Sequence, residues 1–261
     1  MPSIPGKRKI LASSIIFILA SVLLVWQFLM LHGVVSGSGA AIDWSGGVSC
    51  ICWFAGFTLL IDWIVFDTFP AWGASRRPLI GATLKLLASS FFCVEPFSDM
   101  AGYLNAVPAP NATSGGIGVA SSATMYPRAN GVPWSNFVGI LFFHLGNCID
   151  AVGMAPLLNL AKLFSYANWP VLGMLCYCAA TWLLAIAGGI AYAETPFPWG
   201  PDGTLSDGES AFVAPAQIVG ALMLLLGSIL YTAWSAELGG KSPAVEALLT
   251  NVVPADAPHG S

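Results

Sequence analysis

The sequence predicts an all-α fold, a polytopic transmembrane helix bundle of about six spans, and three observations carry that prediction. Of 261 residues, 56% are hydrophobic and only 8% are charged. A soluble domain carries about 25% charged residues, so a surface this poor in charge faces something other than water. Apolar runs long enough to cross a hydrocarbon core of about 30 Å recur along the chain. The basic residues, finally, are divided unequally between the connections.

The runs fall at 10–32 (ILASSIIFILASVLLVWQFLMLH), 47–67, 78–95, 134–158, 167–193 and 212–235. The first has the basic start and apolar centre of a signal peptide. Its apolar part is too long for one and no clean small-residue cleavage site follows, so it reads as a retained helix. Lys7, Arg8, Lys9, Arg76, Arg77, Lys162 and Lys241 lie on one side of this layout, and only Arg128 on the other. The positive-inside rule makes the basic side cytoplasmic, with an even span count and both termini there. Residues 1–240 then form a single domain in the cell membrane, followed by a flexible cytoplasmic tail over 241–261. The outer stretches 96–133 and 194–211 are long and irregular, as lids and binding loops are. No internal repeat is visible in either orientation.

Net charge is −4, with no basic cluster beyond Lys7-Arg8-Lys9, which excludes nucleic acid as a partner. Nothing in the sequence indicates a protein partner. The cysteines at 50, 52, 93, 148, 176 and 178 lie in or beside apolar runs and read as small buried hydrophobes. His144 and Cys148 stand four apart, but one His and one Cys do not make a metal site, and neither metal nor cofactor is expected.

Ionisable residues inside a span cost about 2.5–3.5 kcal/mol each on insertion scales and mark function by default. Here they are Asp62, Lys85, Glu95, His144 and Asp150, with Asn147 as a neutral companion. At 1.5 Å per residue, Asp62 and Asp150 lie about 22 and 24 Å from the outer starts of their spans, and Lys85 about 10 Å from the cytoplasmic start of its own. All three fall in the inner third, so Lys85 is expected to form a structural ion pair with Asp62 or Asp150. Arg76 and Arg77 are placed to serve Asp67. His144, Asn147 and Asp150 follow at intervals of three, within an arc of about 120°. That arc predicts a polar stripe facing the bundle interior, a proton relay or a hold for a substrate hydroxyl. The plain alternative is hydrogen bonding between helices.

At the outer end, CVEPFSDMAGY puts Glu95 at the close of the third span, with Asp99 and Tyr103 beyond Pro96. Phe91, Phe92 and Phe97 give Glu95 an apolar setting, which favours the protonated carboxyl and suits a proton donor. Asp99, nearer water, is expected to stay ionised, and two carboxyls in unlike environments make an acid/base pair. Glu194 ends the fifth span. Asp202, Asp207 and Glu209 follow in the loop, where acids usually only solvate a surface.

Taken in order, CVEPFSDMAGY, PRANGVPWSN and GTLSDGESAFVAPAQIVGAL resemble the AveC-type spirocyclase family, integral membrane proteins attached to polyketide pathways. The resemblance spans about residues 85–235. The chain departs from the family where Glu95-Pro96, with Asp99 in the Asn-like place, replaces Asp-Pro followed by Asn. It departs again where Gln217 stands for a carboxylate. The resemblance implies a cofactor-independent membrane enzyme that cyclises, dehydrates or isomerises a lipophilic small molecule such as a polyketide or terpenoid. On that reading Glu95, Asp99, Asp150 and His144 are the catalytic candidates. Tyr103, Asn147, Trp134, Glu194 and Gln217 are the substrate-binding ones. Rings such as Trp134, Tyr103 and Trp199 suit a reactive cation held away from water, whereas Trp169 and Trp234 read as interface anchors. Two other classes compete. One is a proton-coupled transporter built on Asp62, Lys85, His144 and Asp150. The other is a structural subunit of a membrane complex such as a membrane monooxygenase, suggested by NWP at 168–170, although histidines are too few for a copper site.

Overall fold

The computed structural model describes residues 6–68, 76–104, 132–155, 168–194 and 207–237. Among these residues the fold is all-helical. The helices are α1 (Lys7–Leu31), α2 (Gly39–Asp62), α3 (Arg77–Leu104), α4 (Val132–Met154), α5 (Trp169–Glu194) and α6 (Asp207–Glu237). Each contains a stretch long and apolar enough to cross a membrane, so the chain is a multi-pass membrane protein by length and composition. Lys9 and Arg77 lie at one end of the bundle, called here the basic end. Residue 95 lies toward the opposite, far end.

Local chemistry sets the helix limits. Pro78, Pro133 and Pro170 each stand second in their helices, where a missing N–H costs nothing and the fixed φ favours the first turn. The Ser38 side chain accepts the Ala41 N–H at 3.2 Å, so α2 begins at Gly39 rather than near 47. Gly33, with φ +70°, closes α1: its N–H reaches the Met30 carbonyl at 3.0 Å, and Val34 N–H reaches that of Leu29 at 2.9 Å.

Two departures from the sequence expectation matter. α3 does not stop at Glu95 but runs through Pro96 to Leu104. Pro96 has no N–H for the Phe92 carbonyl four residues back, and the Cys50 thiol of α2 donates to that oxygen instead, at 3.3 Å. The second departure is the π-helical stretch Trp63–Thr68 that follows α2. In an α-helix residues five apart point about 140° away from each other. Closing i to i+5 brings them round to one side, and Lys9 of α1 meets both Asp62 (2.6 Å) and Asp67 (3.0 Å) there.

Each helix packs against the next, and α6 returns against α1 to close a ring of six. The pairs α1–α2, α3–α4 and α5–α6 pack most closely, as three antiparallel hairpins. All three use one device, small residues seven apart in a constant register. In the first, Ser13 Oγ donates to the Gly56 carbonyl and Ser49 Oγ to the Ala20 carbonyl, each at 2.8 Å. In the second, Gly146 lies on the Gly81 carbonyl and Gly139 on that of Ala88. In the third, Gly173 and Gly227 meet backbone to backbone, and Gly220 lies on the Ala180 carbonyl. Lipid supplies no hydrophobic drive between helices, so close packing at small residues is what holds them together.

The ring's centre is aromatic. Trp53 of α2 touches Phe17 of α1 (centroids 5.2 Å apart), Phe143 of α4 (5.4 Å) and Tyr177 of α5 (6.4 Å). Phe92 of α3 reaches Phe143 at 6.1 Å. Large apolar side chains such as Leu19, Phe54, Leu87, Leu145 and Leu226 are exposed on the outside, as a lipid-facing surface requires.

The seams yield a direct test. A Cβ at Gly146 would sit 2.8 Å from the Gly81 carbonyl oxygen, whereas one at Gly153 meets nothing within 4 Å. Gly146→Ala is expected to cost about 1–3 kcal/mol through overpacking. Thermal unfolding in detergent should register that loss, and leave Gly153→Ala at or above the parent.

Candidate functional site

The intramembrane polar residues gather on α4 and its two neighbours. Lys85, only 4% exposed, is paired with Asp150 across the α3–α4 seam. Glycine makes this approach feasible: a Cβ at position 81 would collide with the Asp150 carboxylate. The Lys85 ammonium also lies 5.8 Å from the centroid of the Phe57 ring. The pair expected between Lys85 and Asp62 is therefore not formed. Asp62 lies at the end of α2 facing α1, where Lys9 takes it, while Asp150 lies opposite Lys85 on the adjoining helix. Asp67, expected to be served by Arg76 or Arg77, is likewise held by Lys9.

The predicted stripe on α4 spans two seams and makes the interhelical bonds of its plain alternative. Steps of three residues turn the helix by about −60° each, so an arc of 120° is wide enough to reach from one seam to the other. His144 faces α5, Asp150 faces α3, and Asn147 lies between them, 1% exposed, with its Nδ2 making no hydrogen bond among the described residues.

The hydrogen bonds of His144 form an ordered chain. The Thr181 hydroxyl donates to the Tyr177 carbonyl at 2.9 Å, which commits its proton. Thr181 Oγ1 is then the acceptor for His144 Nδ1–H at 2.8 Å. This assigns the tautomer and leaves Nε2 as an acceptor, 3.3 Å from the Cys148 thiol. Trp182 packs edge-on against the imidazole, with centroids 5.0 Å apart. On the α5–α6–α1 side, Tyr177 Oη, Ser228 Oγ and Ser21 Oγ are linked at 2.8 and 3.0 Å.

At the far end, Gln217 of α6 bonds His32, the residue after α1, at 2.7 Å. Gln217, a substrate-binding candidate in the sequence, here makes a bond that ties α1 to α6. Glu95, Asp99 and Tyr103 lie on the continuous α3, Trp134 in the first turn of α4 and Glu194 at the end of α5. Their side chains lie outside the described residues, as does the loop position Trp199. Lys9, His32, Thr181 and Cys178 all make cross-helix contacts that sequence reasoning did not assign. His32 and Lys9 stood at span ends where water reaches, and Thr181 and Cys178 carried no local signal.

Removing one member of a buried ion pair costs about 3–5 kcal/mol, because the other charge is left uncompensated. Lys85→Met and Asp150→Asn are each expected to lose that much stability, and the double variant to recover most of it. A double-variant melting curve no better than the worse single would refute pairing as the main role of these groups.

No family model, curated protein or solved structure matches this chain.

Proposed function

We propose that this multi-pass membrane protein is an enzyme that cyclises, dehydrates or isomerises a lipophilic small molecule by acid/base chemistry at its far end. The observation that supports this most is the unbroken course of α3 through Pro96. Positions 95, 99 and 103 thereby follow one another at i, i+4 and i+8 on one helix, within an arc of about 80°. That segment shares its end of the bundle with the first turn of α4, bearing Trp134, and the last residue of α5, Glu194.

On this reading Glu95 protonates a carbonyl or a departing hydroxyl of the substrate, and Asp99 accepts the proton released on closure or elimination. Tyr103 and Trp134 shelter the developing cation from water. The sequence sets position 95 among Phe91, Phe92 and Phe97 and position 99 one turn farther out, which would give the acid and the base unlike surroundings. The ion pair with Lys85 and the bond to Thr181 give Asp150 and His144 duties within the bundle, which concentrates catalysis on Glu95 and Asp99. Those contacts run across seams between neighbouring helices rather than along the axis, an arrangement that favours the enzyme over a proton-coupled transporter.

The test is turnover of lipophilic hydroxy-ketones by purified protein, followed by mass spectrometry. Glu95→Gln should reduce the rate by about 10²–10⁴-fold, the range of a lost general acid, with the melting temperature unchanged. A Glu95→Gln protein as active as the parent would sink the proposal.

A further inference from the structure

We propose that the α4–α5 seam is a thiol redox site, with Cys148 as reacting thiol, His144 as its base and Cys178 as resolving thiol, open from the bilayer to lipid-soluble hydroperoxides. All six cysteines are free thiols. Four observations on this seam carry the assignment. Thr181 fixes the His144 tautomer that leaves Nε2 unprotonated, and Cys148 Sγ lies 3.3 Å from it. A thiol beside a base that is itself oriented by a third group is the arrangement of an activated nucleophile. Cys178 of α5 lies beside Cys148 of α4 and interacts with it across the seam, so a second thiol is at hand. Both sulfurs lie in outward stripes, Leu145–Cys148–Val152 on α4 and Leu175–Cys178–Trp182 on α5. In these the flanking residues are 46–63% exposed and the cysteines partly so. Whatever reaches Cys148 arrives through the hydrocarbon layer, where hydroperoxides of acyl chains reside.

The chemistry balances without a metal or cofactor. Cys148 sulfur attacks the terminal oxygen of R–O–OH; the O–O bond breaks, and R–OH leaves with the thiol proton passed on by His144 Nε2. The product at Cys148 is a sulfenic acid. Cys178 sulfur then attacks Cys148 sulfur, the S–S bond forms, and hydroxide leaves as water with the proton of Cys178. One peroxide is reduced to an alcohol and water, and two thiols are oxidised to a disulfide. The site shares no residue with the carboxyls at the far end of α3, so either assignment stands without the other.

The molecule contains its own control. Cys50 and Cys93 also neighbour each other across a seam, between α2 and α3, with the Cys50 thiol donated to the Phe92 carbonyl. Reduced full-length protein in phospholipid nanodiscs would be treated with cumene hydroperoxide, and disulfides quantified by peptide mass spectrometry. Cys148–Cys178 is expected to form at least about tenfold faster than Cys50–Cys93, and His144→Gln to remove that advantage while leaving the Cys50–Cys93 rate unchanged. In Cys178→Ser, a dimedone probe should label Cys148. Equal rates for the two pairs, no effect of His144→Gln, or hydrogen peroxide reacting faster than cumene hydroperoxide would each overturn the proposal.

Discussion

Everything in this bundle depends on how closely two helix backbones approach where no water competes. In a lipid solvent an apolar side chain gains little by leaving the acyl chains for a neighbouring helix, so association rests on dispersion contacts and on polar groups that find each other. Small residues seven apart meet that requirement in all three hairpins, and the remaining contacts follow from the spacing they set. Gly81 and Gly146 let Asp150 reach Lys85. The close α1–α2 seam lets Ser13 and Ser49 donate directly to backbone carbonyls of the facing helix. With these distances set, the aromatic side chains around Trp53 fill the centre.

The seams between hairpins are held differently. Polar contacts made by side chains span them: the Cys50 thiol on the Phe92 carbonyl, His144 on Thr181, and both Ser21 on Ser228 and His32 on Gln217. Other buried serines turn back onto their own helix, Ser14 and Ser89 to the carbonyl four residues back and Ser45 and Ser235 to the one three residues back. The bundle thus combines strong local pairs with weaker polar ties that join them into a ring.

Much of the fold was legible in the sequence, because length and hydropathy decide whether a segment crosses a bilayer. All six spans were assigned from those two properties. Boundaries were less legible. The start of α2 depends on a Ser38 cap ahead of a Gly/Ala/Asp stretch that breaks the apolar run, and α3 passes a proline that a sequence reading takes as an end. The seven-residue small-residue spacing is present in the sequence at positions such as 139 and 146 or 220 and 227. It was hidden there by the other glycines of a chain that has 28. The Lys85 pair was narrowed to two acids by depth alone; choosing between them needed the azimuth of each helix, which depth does not encode. The stripe on α4 was legible as an arc, but its division between two seams was not. A 120° arc fixes which residues neighbour one another on a helix, but which adjoining helix each meets is a property of the ring.

The closure of α6 onto α1 has a consequence for biogenesis. Ser21 and Ser228 are 207 residues apart, so the ring cannot close until α6 has left the ribosome. Until then α1 and α5 each expose an unpaired edge to the translocation machinery. The hairpins face no such wait, since each has both of its partners as soon as its second helix emerges. Lys9 in particular stays uncompensated only until Asp62 and Asp67 arrive, at the close of the second helix. The order of the chain therefore matches an order of assembly in which pairs form one after another and the last helix completes the circle.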